Sequence, residues 1–150
     1  MALATTTLYL ARHGQSEWNN QRRVTGQLDP VLSPKGREQS EGLAQCVQGE
    51  GLAAIYSSAL QRTIDTATPT ATAAGLAIVS LPAFNEINVG VLQGRYRDER
   101  DPEAQALWAQ WQAALWDFRI PGGERFDEFT ARVSAALQTI LHRHDGQRVL

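Results

Sequence analysis

Two kinds of hydrophobic pattern alternate along the chain. Short apolar runs recur at Leu8 to Ala11, at Ala53-Ala54-Ile55-Tyr56-Ser57 and at Ala77 to Leu81, and a further one opens at Arg148-Val149-Leu150. Runs of this length, bounded by turn residues, read as buried strands. Longer segments with helical spacing separate them. Ser33-Pro34 supplies an N-cap and a first-turn proline for a helix running to about Gly49. A second helix is predicted from about Ala59 to Ala74, ended by Gly75, with Pro69 expected to kink or shorten it. A third covers Glu103 to Asp117 and carries Trp108, Trp111 and Trp116, the first two on one face. The last spans about Glu124 to His144, with Phe126, Phe129, Val133, Leu137, Ile140 and Leu141 at helical spacing. The stretch Ala83 to Tyr96 reads as irregular.

Strands that alternate with helices imply an α/β fold, a mostly parallel sheet with helices on both faces. No repeat or linker divides residues 1–150, which read as one domain. In such sheets ligands gather beyond the carboxyl ends of the strands. His13 follows the first strand, Ser57, Ser58 and Arg62 follow the second, and Glu86 follows the third.

Composition narrows the partners. A net charge of -2 gives no broad electrostatic grip on nucleic acid. No apolar run approaches the length of a membrane span. Met1 to Thr7 lacks the basic start and long apolar stretch of a secretory signal. The single Cys46 excludes an intramolecular disulfide and is expected to pack on the apolar side of its helix. Cytoplasm is the expected compartment, and a small molecule the expected partner. Self-association is left open.

Chemistry concentrates at the end of the first strand. Ala11-Arg12-His13-Gly14 places a fixed cation, an imidazole and a turn-permitting glycine together, and Ser16 and Asn19 can reach the same spot. That set suits a phosphate, although an Arg-His-Gly triplet alone also describes a polar turn. A second arginine, Arg62, lies in Tyr56-Ser57-Ser58-Ala59-Leu60-Gln61-Arg62-Thr63, near a helix N-terminus whose field favours anions. Glu86 lies in Phe84-Asn85-Glu86-Ile87-Asn88-Val89-Gly90.

Together these strings resemble the histidine phosphatase superfamily, the phosphoglycerate-mutase-like enzymes. The resemblance implies that His13 is phosphorylated during turnover, that Arg12 and Arg62 grip the phosphate, and that Glu86 is the general acid. A carboxyl near other anions and away from water would hold its proton for that task. Asn19, Thr25 and Gly26 match positions lining the phosphate site, and Ser16 is a further candidate. Pro121-Gly122-Gly123-Glu124 resembles the approach to the family's last helix, where Glu124 caps that helix or meets substrate. The tryptophans either pack in the core or line a pocket mouth. No metal or cofactor is called for.

The resemblance also implies a second histidine, in a Gly-His pair beyond the strand that follows the last long helix. Residues 1–150 contain no such pair, and His142 and His144, at a helix end, are not its equivalent. The expectation is a fold incomplete at its C-terminus, part of a longer protein, with doubtful activity by itself. Three functions remain open: a phosphomonoesterase, a cofactor-dependent phosphoglycerate mutase, and a non-catalytic module that binds a phosphorylated ligand. Mutases of the family carry a longer insertion between the positions of Glu86 and Glu124, with extra basic residues that hold the diphosphate. Here that segment is short and its basic residues are Arg95, Arg97, Arg100 and Arg119. This resembles broad-specificity and alpha-ribazole phosphatases and favours hydrolysis.

Overall fold

A computed structural model describes residues 5–150. The start of the Met1 to Thr7 segment, read above as no secretory signal, lies outside them. The elements in chain order are β1 (Thr7–Leu8), α1 (Glu17–Asn20), α2 (Pro34–Cys46), β2 (Ile55–Ser57), α3 (Gln61–Ala74), β3 (Ile78–Ser80), two short 3-10 turns (Pro82–Phe84 and Gly90–Leu92), α4 (Pro102–Ala113), α5 (Phe126–Arg143) and β4 (Arg148–Val149). All strand pairings are parallel. β1 pairs with β4, β2 pairs with β3, and a bridge between Ala54 and Val149 joins the two ladders in the order β1-β4-β2-β3. Val149 thus sits between β1 and β2 and is 2% exposed.

Alternation along β2 puts helices on both faces. Ile55 packs with Ala67 and Ala71 of α3 on one side. Tyr56 points the other way, its ring edge-on to His144 at the end of α5. A second core, built from Val24, Ile87, Val89, Leu92, Ala104, Trp111 and Ile120, lies under α4 and the irregular stretch before it. Trp111 belongs to this core, Trp108 packs on it with ring centroids 5.1 Å apart, and Trp116 stands exposed against Phe126.

The strands are shorter than the apolar runs. The β1 ladder ends where the Tyr9 N–H meets the Val149 carbonyl at 2.8 Å, and Leu10 is exposed. A cavity of about 340 Å³ is lined by Leu8, Leu10, His13, Tyr56, Val133 and Leu137, among others. α3 runs unbroken through Pro69, because its buried stripe of Arg62, Thr66, Ala67, Thr70 and Ala71 continues past the proline and packing holds the helix. Cys46 is exposed, against expectation. The inward stripe of α2 is Gly36, Ser40 and Leu43, continued by Val47, and Cys46 is turned one position out of it. No helix among the described residues is long and apolar enough to cross a membrane.

The turn after β1 is held by a close backbone approach. A Cβ on Gly14 would lie 2.4 Å from the Gly36 carbonyl oxygen, and one on Gly36 would lie 2.1 Å from the Gln15 carbonyl oxygen. Serine capping places Gly36 there: Ser33 Oγ accepts the Gly36 N–H at 3.1 Å. Gly42, on the same helix, has nothing within 4 Å of an added Cβ. Gly36→Ala is therefore expected to destabilise the fold by about 1–3 kcal/mol through overpacking. Gly42→Ala is expected to stabilise it by up to about 1 kcal/mol through helix propensity. Urea unfolding of both variants checks this; equal effects would contradict the close approach.

Candidate active site

The His13-Gly14 turn is fixed from two helices. Gly14 donates its N–H to Thr66 Oγ1 of α3 at 2.9 Å, and that hydroxyl donates to the Arg62 carbonyl at 2.7 Å. From α2, Gln39 Oε1 accepts the Gln15 N–H at 2.8 Å. The imidazole is oriented by its own neighbour: His13 Nδ1 lies 2.7 Å from the Gly14 carbonyl oxygen. A carbonyl only accepts, so Nδ1 carries the proton and Nε2 keeps its lone pair. Burial pushes the His13 pKa below the usual 6.5, against the Gly14 carbonyl and Glu86, with Arg62 and Arg12 adding to the depression. The ring is neutral at ordinary pH.

Arg12, His13 and Asn19 line one cavity of about 470 Å³, with Gly14, Gln15, Gln39, Leu43, Thr66 and Arg97. No carboxylate lines it among the described residues. The Asn19 side chain is oriented by Ser16, whose N–H and hydroxyl both donate to Asn19 Oδ1, at 2.8 and 3.0 Å. The amide NH₂ is left to face other groups. This interaction corrects the place of Ser16. Its side chain is fully buried, its hydroxyl is given to Asn19, and it is not among the lining residues of the cavity.

Arg62 is 1% exposed, and most of its donors are taken. Its Nη1 donates to the Leu28 carbonyl at 2.6 Å and to Asp29 Oδ1 at 3.3 Å, and its Nη2 donates to the Gly26 carbonyl at 2.9 Å. Nε is buried without a partner among the described residues. Burial lowers the Arg62 pKa, while Asp29 and Glu86 oppose it; guanidinium nevertheless keeps its charge in proteins. Gly26 enters through its carbonyl and its positive φ of 51°, and a Cβ there would strike the Gln93 side chain. Thr25 is half-buried beside it and is not among the lining residues of the cavity.

Glu86 is exposed, not withdrawn from water as expected. Its backbone, however, is clamped. The Glu86 carbonyl accepts from Gln27 Nε2 at 3.1 Å and Arg132 Nη2 at 3.3 Å, and Arg132 Nη1 donates to the Ala83 carbonyl at 2.7 Å. Its own Oε1 accepts the Ile87 N–H at 2.9 Å. Arg132 is held in turn by Glu124, with Nη2 to Oε1 at 2.7 Å. Glu124 therefore neither caps α5 nor lines the His13 cavity. His142 bonds the Gln138 carbonyl through Nδ1, and His144 contacts Tyr56 and Gln147.

Four supporting residues escape a reading of the sequence. Asp29 precedes Pro30, a pair whose sequence signals only a turn, yet it accepts the Gln61 and Arg62 N–H groups at the start of α3 and pairs with Arg62. Thr66 is one polar position in a helix. Gln39 is one of many polar positions on α2. Arg132 did leave a signal, a cation between Phe129 and Val133 on the apolar stripe of the last helix.

Comparison with known proteins identifies the family. The model of the histidine phosphatase superfamily (branch 1) matches residues 8–150. A protein of Enterobacter sp. (strain 638) named as a probable phosphoglycerate mutase, GpmB, is 37% identical over 143 residues, which are 95% of this chain and 66% of that protein. The chain thus spans just under two thirds of that relative's length. Among solved structures, Bacillus stearothermophilus YhfR superposes with a TM-score of 0.88 at 35% identity, over 97% of this chain and 72% of that one. A mycobacterial glucosyl-3-phosphoglycerate phosphatase in complex with VO3 gives 0.83 at 26% identity, over 96% and 71%.

The depressed His13 pKa has a measurable consequence for stability. The unfolded chain binds this proton more readily than the folded one. The stabilisation from keeping the imidazole neutral is complete above about pH 6.5 and is lost as pH falls through the folded value. Urea unfolding of His13→Gln should therefore lose less stability than the parent on going from about pH 7.5 to about pH 5. Identical losses would contradict a buried neutral imidazole.

Proposed function

Because the chain belongs to the histidine phosphatase superfamily, we propose that it acts as a phosphomonoesterase on a small phosphorylated metabolite, through a phosphohistidine at His13. The observation that carries this reading is the free Nε2 of a neutral His13, in a cavity lined by donors and no carboxylate. Phosphoryl transfer needs alignment and charge neutralisation above all. Arg12 and the Asn19 amide supply donors for the phosphate oxygens from the cavity wall; Arg62 is not among the lining residues, and the donor it would add is its buried, unpartnered Nε–H.

The steps follow from these groups. The Nε2 lone pair attacks phosphorus in line with the ester oxygen. The phosphorus–oxygen bond breaks, and the leaving alkoxide takes a proton from Glu86. The Gly14 carbonyl, already accepting from Nδ1–H, stabilises the charge that the ring gains. Glu86, now a carboxylate, then takes a proton from water as the water oxygen attacks phosphorus. The nitrogen–phosphorus bond breaks, inorganic phosphate departs, and His13 returns to its neutral form. Cytoplasmic residence belongs to the same proposal and rests on the single cysteine.

A mutase reading has one observation in its favour, the name carried by the Enterobacter relative. The two chemistries share the phosphohistidine and differ in the acceptor, water or a second hydroxyl. Support for water comes from the segment between Glu86 and Glu124. Of its four arginines, Arg95 pairs with Asp101 and Glu103, Arg100 with Asp98, and Arg119 with Glu128. Those cations are occupied, and Arg97 alone lines the His13 cavity.

Two measurements on the full-length protein test the proposal. Glu86→Gln should slow hydrolysis of an alkyl phosphate by about 10²–10⁴ and of p-nitrophenyl phosphate far less, since a good leaving group needs little protonation. Equal losses would remove the acid role. Incubation with 3-phosphoglycerate should release inorganic phosphate; interconversion of phosphoglycerates with little release would favour the mutase instead.

A further inference from the structure

Arg97 is the cation of the cavity that the hydrolytic steps do not use. Arg62, Arg95, Arg100, Arg119, Arg125, Arg132 and Arg148 each pair with a carboxylate. The Arg97 guanidinium makes no ion pair or hydrogen bond among the described residues, although acidic residues flank it at Asp98 and Glu99. Asp98 is turned inward, 4% exposed, and bonded to Arg100.

The guanidinium is nevertheless held in place. The Arg97 N–H donates to the Arg22 carbonyl at 3.1 Å, next to the antiparallel bridge between Arg23 and Tyr96. The guanidinium carbon lies 5.4 Å from the centre of the Trp108 ring, and Trp108 packs on the buried Trp111. An aromatic face on a rigid core holds a cation without neutralising it. The core tryptophan thereby acquires a second use at the pocket wall.

The cavity between Arg97 and His13 is large enough for more than a phosphate. Its volume of about 470 Å³ falls in the range of about 300–1,000 Å³ usual for small-molecule sites. Its other walls are neutral: Gln15 and Gln39 offer amides, Leu43 methyl groups, and Thr66 a hydroxyl already engaged with Gly14 and Arg62. The charged groups at its wall are Arg12 and Arg97, from two distant segments. Arg12 adjoins the nucleophile; Arg97 rises from the segment before α4.

We propose that Arg97 binds a second anionic group of the substrate, so that the preferred ester carries a phosphate and, a few bonds away, a carboxylate or another phosphate. This rests on the phosphomonoesterase reading for its chemistry, while binding can be measured without turnover. Three phosphonates on a three-carbon chain, which the site cannot hydrolyse because they lack an ester oxygen, isolate the interaction: propylphosphonate, 3-phosphonopropionate and propane-1,3-diphosphonate. Calorimetry on the full-length protein should find the two doubly functional ligands bound about 10–100-fold tighter than propylphosphonate, the effect of one charge-assisted contact. Arg97→Ala should collapse that preference, Arg97→Lys should keep part of it, and added salt should weaken it. Whether the carboxylate or the second phosphonate loses more identifies the natural group. A preference that survives Arg97→Ala, an equal weakening of all three ligands, or no binding of any of them overturns the proposal. Turnover of p-nitrophenyl phosphate in the same preparations judges the parent reading separately: discrimination without turnover would refute the esterase and keep the role of Arg97.

Discussion

One hydroxyl joins the parts on which the site depends. Thr66 Oγ1 accepts the Gly14 N–H and donates to the Arg62 carbonyl, linking the nucleophile's turn to the helix that carries the buried arginine. Gly14 and Gly36 lie too close for any Cβ between them, so α2 presses the same turn from the other side. The imidazole that results has little freedom. Its Nδ1–H is tied to the Gly14 carbonyl, its Nε2 keeps a lone pair, and the residue lines a cavity walled with donors. Such preorganisation matters because a displaced nucleophile loses rate steeply with small shifts.

Electrostatics follow from the same packing. Burying Arg62 is costly unless its donors are satisfied, and two loop carbonyls with Asp29 do most of that. The loop from Gly26 to Asp29 is thereby fixed against α3. Burial and the nearby arginines favour a neutral His13, the form a nucleophile requires. Arg132, itself paired with Glu124, donates to the Glu86 carbonyl, so the exposed Glu86 side chain stands on a tethered backbone.

The fold was largely legible because its signals are local. Ser33-Pro34 starts α2, Gly75 ends α3 in the left-handed conformation with φ of 66°, and the apolar runs mark the parallel strands. Pro69 misled because helix packing outweighed one missing donor. Cys46 misled because a single residue of phase separates the inward stripe from solvent. Among site residues, Arg12, His13 and Asn19 do share a cavity, whereas Ser16, Thr25, Gly26, Arg62 and Glu86 are not among its lining residues, and the Ser16 hydroxyl is spent on Asn19. The support from Asp29, Thr66, Gln39 and Arg132 stayed hidden. Hydrogen bonds between segments tens of residues apart leave no periodicity, and a threonine or aspartate reads the same in a turn as in a scaffold.

The account turns on which atom of His13 receives the phosphoryl group. Rapid acid-free quenching of the full-length protein with an excess of a phosphomonoester, followed by phosphorus-31 resonance and peptide mapping, reads that atom directly. A phosphohistidine at Nε2 of His13, with Nδ1 still protonated, is the predicted result. Phosphorylation at Nδ1, on another residue, or on none during active turnover would contradict it.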